Sequence, residues 1–144
     1  METNLVKAHR LLDTGNYTCV VCRDDLTYTT TDRGVAPLLS WLDRGTDLKG
    51  FSAADRVVGR GAAFLYCLLG VQEVYAKVMS KPAAEVLRAY GIHAQAGTFV
   101  EGIINRKGDG PCPFEAAVME ITDAQEALTA IRNKRKHMQE GRDA

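Results

Sequence analysis

Two glycines in the middle of this chain constrain its fold most. Gly70 stops one apolar helical stretch, Gly91 stops another, and each is followed at once by strand character. After Gly70, Val74, Ala76 and Val78 alternate with Tyr75, Lys77 and Met79, which predicts a strand over 73–79. Pro82 opens the second helix, 83–90, and a short strand follows over 92–96. Helix and strand taking turns in this way specify an α/β or α+β layered domain, with helices covering a mixed sheet.

The remaining segments fit that plan. Leu5, Ala8, Leu11 and Leu12 predict an opening helix over 4–13, ended by Thr14-Gly15-Asn16. The β-rich stretches 17–23 and 26–30, on either side of Asp24-Asp25, predict a hairpin. A short helix carries Leu38, Leu39, Trp41 and Leu42 and closes at Gly45. Ser52 and Asp55, three apart, read as a capping box at the head of a long helix over 53–69. A further strand is expected over 99–105, helices over 113–121 and 123–137, and a frayed end over 140–144. With 144 residues, 46% of them hydrophobic and 25% charged, the chain reads as one globular domain that buries a sizeable core.

Lys plus Arg and Asp plus Glu both number 18, so the net charge is zero and no global pull toward nucleic acid or anionic membrane exists. The one local excess is Arg132, Lys134, Arg135 and Lys136, which reads first as a solvated helix end suited to the helix dipole. The longest apolar segment, 57–71, is broken by Gly59-Arg60-Gly61, too soon for a membrane span. The first residues lack the pattern of a leader, and four cysteines then read as free thiols in a reducing cytoplasm.

Few residues suggest chemistry. Cys19 and Cys22 form a C-x-x-C, but within a strand they point to opposite faces, and a structural zinc needs a second pair. Cys67, within an apolar helix, reads as a core residue. Cys112 follows Gly108-Asp-Gly-Pro111 and precedes a helix opened by Pro113, where first-turn amides favour a thiolate or an anion, with Glu115 a turn further on. Arg56 and Arg60, one helical turn apart, together with Asn105 and Arg106 before the glycine loop, suit a phosphate or carboxylate. The same arginines serve equally in salt bridges to Asp55, Glu101 or Asp109. His9, His93 and His137 show no metal spacing, no nucleotide-binding glycine fingerprint is present, and no cofactor is implied.

The strings Asp32-Arg-Gly-Val-Ala-Pro-Leu-Leu39, Asp55-Arg-Val-Val-Gly-Arg-Gly-Ala-Ala63, Ser80-Lys-Pro-Ala-Ala-Glu-Val-Leu87 and Ile104-Asn-Arg-Lys-Gly-Asp-Gly-Pro-Cys-Pro-Phe-Glu115 carry a resemblance. Together, over about residues 5–136, the chain resembles a family of small prokaryotic proteins of unknown function that are similar to the cytidine-deaminase fold. The resemblance implies a three-layer α/β/α domain with a five-stranded mixed sheet, and no reaction. Zinc-dependent deaminases place His/Cys-Ala-Glu at the head of one helix and Pro-Cys-x-x-Cys at the next. Here Pro111-Cys112 is kept, Glu115 stands at the second cysteine, and the His-Ala-Glu place reads about Val57-Val58-Gly59. A metal ligand and the proton shuttle are missing, and a catalytic zinc needs three protein ligands.

Three readings follow. In the first, a zinc-free deaminase-like scaffold binds a small anionic or nucleotide-like ligand between the heads of two helices. Arg56, Arg60, Asn105 and Arg106 hold it, with Cys112 at the floor. In the second, Cys112 is a nucleophile with Glu115 or Asp55 as acid or base, and no histidine is an obvious partner. In the third, the chain is a non-enzymatic interaction or regulatory domain that uses its basic last helix. Sheets of the resembled kind commonly assemble into homo-oligomers.

Overall fold

A computed structural model describes residues 2–105 and 107–143, with side chains as far as residue 140. The elements in chain order are α1 (Asn4–Thr14), β1 (Cys19–Arg23), β2 (Leu26–Thr30), α2 (Ala36–Asp43), β3 (Ser52–Val58) and α3 (Arg60–Leu69). They continue with β4 (Glu73–Ser80), α4 (Lys81–Ala89), β5 (His93–Val100), α5 (Pro113–Ala117) and α6 (Ala124–Asp143). Five strands form one mixed sheet in the order β2-β1-β3-β4-β5. β1 is antiparallel to both β2 and β3, whereas β3, β4 and β5 run parallel.

Helices cover both faces. On one, α1 buries Ala8 and Leu12 against Val20, Cys22 and Ala54. On the other, Leu38 and Trp41 of α2, Phe64 and Leu65 of α3, Leu87 of α4 and Ile131 of α6 close a larger core over Val21, Ala53 and Val74. Cys19 and Cys22 fall into opposite layers, as strand alternation requires, and all four cysteines are free thiols. Gly70 and Gly91 follow α3 and α4 with φ of +87° and +77°, the left-handed helix-ending conformation.

The expected long helix over 53–69 is a strand and a shorter helix. Ser52 and Asp55 are not a capping box; they lie in β3, and α3 begins only at Arg60 with Gly59 as its cap. β3 is central and its first half is buried on both faces, with Ala53 in one layer and Ala54 in the other, so that half shows none of the alternation that marks a half-exposed strand. Arg56 and Arg60 therefore do not share a helix face.

Three other boundaries differ. The two strands expected over 92–96 and 99–105 are the single β5, continuous through Gly97, where a Cβ would stand 3.0 Å from the Lys77 carbonyl oxygen. α5 ends at Ala117 rather than 121, because the Val118, Met119 and Ile121 amides bond three residues back instead of four. α6 continues to Asp143, past the expected end at His137; the frayed end expected over 140–144 reaches Ala144, which lies outside the described residues.

Candidate functional site

β3 and β4 lie side by side and parallel, and each feeds a helix at its carboxyl end. Gly59 caps α3 with extended backbone and no side-chain bond, whereas Ser80 caps α4 and its hydroxyl accepts from the Ala83 amide. α3 and α4 cover the same face of the sheet, so their heads flank one crevice at the strand ends. Here the chain fills it with Glu115 of α5. The carboxylate accepts from the Arg60 amide through Oε2 (3.3 Å) and from the Ile103 amide through Oε1 (3.4 Å). The Ser80 hydroxyl, at the head of α4, also favours its charged form.

Glu115 is only 4% exposed. Burial raises its pKa, and the amides, the Ser80 hydroxyl and the nearby Arg60 partly counter that rise. The fit depends on small neighbours: a Cβ on Gly59 would overlap Oε2, and one on Gly61 would meet the Phe114 carbonyl at 3.1 Å. The carboxylate thus ties α5 and the segment after β5 to the heads of α3 and α4.

The other expected site residues are dispersed. Arg60 Nε donates to the Val118 carbonyl (3.0 Å) and Nη2 to that of Ile121 (2.6 Å), with the guanidinium 5.3 Å from the Phe64 ring centroid. Arg56 Nε donates to the Tyr17 carbonyl at 2.7 Å, ahead of β1. Asn105 organises its own turn: Oδ1 accepts from the Gly108 and Asp109 amides, and Nδ2 donates to Asp109. Arg106 lies outside the described residues. Cys112 caps α5, half-buried, its amide donating to the Ile103 carbonyl at 2.7 Å, and α5 has only five residues to supply a dipole. His9 is held at Asp13 and His93 at Gln95.

Asp55 belongs to a different place. Tyr66 donates its hydroxyl to Asp55 Oδ2 at 2.6 Å, and Cys19 Sγ lies 3.1 Å from the same hydroxyl. Burial pushes the Asp55 carboxyl up to about 6, while the Tyr66 hydroxyl and the Val57 and Arg56 amides partly counter that rise. Burial likewise pushes the Cys19 thiol and the Tyr66 phenol upward. Four residues of extended chain separate Asp55 from Gly59, about 13 Å, so this network lies well below the Glu115 crevice. Sequence reasoning missed Tyr66; its signal was a phenol inside an apolar stretch, which has to find a partner when buried.

Among the described residues no three His, Cys, Asp or Glu side chains come close enough to hold a metal ion, and no helix is long and apolar enough to cross a membrane. The class so defined is a mixed α/β domain, its five-stranded sheet carrying helices on both faces and its strand-end crevice closed by a buried acid. Residues 7–135 match the model of the family TM1506, described as a domain of unknown function (DUF1893), and the chain belongs to that family. It is similar to the crystal structure of a DUF1893 family protein (TM1506) from Thermotoga maritima. That likeness has a TM-score of 0.83 and 25% identity over 93% of this chain and 92% of that one. No curated protein matches it.

Proposed function

We propose that this chain is a cytidine-deaminase-like domain that works as a metal-free binding module for a small anionic or nucleotide-like ligand. The five-stranded mixed sheet with helices on both faces supports the deaminase-like part of the reading. The observation that carries the metal-free part is Glu115 in the head of α3. A deaminase would need ligands and a proton shuttle there, but the head offers Gly59, Arg60 and Gly61, with Arg60 turned to backbone carbonyls. The head of α4 offers Ser80, Lys81 and Pro82. Cys112 heads the short α5 instead, so these residues do not fit a catalytic zinc. Four free thiols are in keeping with a cytoplasmic setting.

Metal content by mass spectrometry, on chain purified without chelator and alongside Cys112→Ser, tests the first half. The expected result is no metal in either sample; near one metal per chain, lost in Cys112→Ser, overturns the reading. A melting-temperature screen with nucleotides and inorganic phosphates tests the second half, since a ligand that binds the folded state alone raises Tm. A flat screen overturns it.

A further inference from the structure

α6 changes character halfway along. Ala124, Ala127, Leu128 and Ile131 are buried and seat its first turns in the core. Beyond Ile131 the helix continues to Asp143, and Arg132, Arg135, Lys136 and Gln139 line a groove of about 200 Å³ with Leu39 and Asp43 of α2. The α6 residues are spaced three, one and three apart, which puts them on one helix face. Leu39, 1% exposed, belongs to the core and supplies the apolar wall. Arg132 Nη2 is held by Asp43 Oδ1 at 2.7 Å, so one guanidinium is already set at the rim.

We infer that this α2–α6 groove receives the phosphate or pyrophosphate group of a small molecule. The proposal rests on the anion-binding reading above and gives it a location. Three cations face one carboxylate here, in a chain whose net charge is zero. Arginine's fork accepts two phosphate oxygens at once, and a lysine beside it adds a compact charge. The arginines that sequence spacing assigned to a ligand are engaged by backbone carbonyls, at Tyr17 for Arg56 and at Val118 and Ile121 for Arg60. Among the described residues, Arg135 and Lys136 form no ion pair. A groove this small takes a phosphate group and leaves any attached base or sugar outside.

Calorimetric titration of the full chain with inorganic pyrophosphate, at low and at physiological salt, tests the inference. The variant is Arg135→Gln; Lys134→Gln, on the same helix but outside the groove lining, matches its lost charge. The groove variant is expected to bind at least about tenfold more weakly while Lys134→Gln stays within about twofold, both with unchanged Tm. Equal losses in the two variants, or none in either, remove the groove but leave an anion-binding domain standing. No pyrophosphate binding by the unaltered chain removes both readings. Tighter binding to phosphatidylserine vesicles or to a single-stranded oligonucleotide than to pyrophosphate also overturns the small-molecule assignment.

Discussion

Gly59 and Glu115, far apart in sequence, exclude each other's growth: the Glu115 carboxylate occupies the space a Gly59 side chain would need. The carboxylate cannot step aside without giving up the Arg60 and Ile103 amides. Gly59→Ala should therefore lower stability by about 2 kcal/mol, as overpacking does, or about 4–8 °C in Tm. Urea unfolding of Gly59→Ala, Glu115→Ala and the double variant measures the coupling, and the two costs should be less than additive. Additive costs would refute the contact.

Asp55 predicts a pH dependence. Its carboxyl titrates at about 6 when folded, against 3.8 for an ordinary aspartate, so the folded chain binds the proton more tightly than the unfolded one. Stability from this group is full at low pH and falls as pH rises from about 4 to 6, by on the order of 3 kcal/mol, then levels off. Asp55→Asn keeps an acceptor for Tyr66 and has no proton to lose. The difference in unfolding free energy between the two chains should slope across that window, and a flat difference would rule out the shift.

Arg60 is expected to be structural. Arg60→Met keeps the stem over Phe64 but strands the Val118 and Ile121 carbonyls, at a cost of about 2 kcal/mol. Pyrophosphate affinity should not change. Loss of that affinity at full stability would return Arg60 to the ligand-binding role that sequence spacing assigns it.

Thiol labelling should rank the cysteines. Cys112 is half-buried at a helix cap, Cys19 and Cys22 are buried, and the Cys67 thiol is pushed up to about 12 by burial. Iodoacetamide at neutral pH, followed by mass spectrometry, should modify Cys112 first and Cys67 slowly, because the thiolate is the reactive form. Cys19 and Cys22 should stay unmodified until the chain unfolds. Labelling of Cys19 ahead of Cys112 would contradict the buried Tyr66 network.

The parts of this fold marked by turn residues, alternation or helix caps were legible. The β1–β2 hairpin, β4, α4 and the stops at Gly70 and Gly91 follow from alternation, turn residues and left-handed caps. β3 was not, because Ser52-Ala53-Ala54-Asp55-Arg56 shows no two-residue alternation, and Ala53-Ala54 suits a helix as well. That one misreading put Arg56 and Arg60 on a common face. Glu115 was singled out from its place near a helix start, but its partners Gly59, Ser80 and Ile103 come from other segments that only the fold brings together. Arg60 likewise looked like a ligand residue because carbonyl acceptors leave no trace in side-chain pattern.

The bonds that Arg60 makes at the head of α3 span 55, 58 and 61 residues. During synthesis the sheet and its first four helices are complete once β5 has emerged, while the first turn of α3 still lacks its carboxylate and Arg60 its carbonyls. Closures of such long loops are the slow ones in folding. Until α5 has left the ribosome, the nascent chain therefore carries an open strand-end crevice with bare α3 amides, and the arrival of Glu115 seals it.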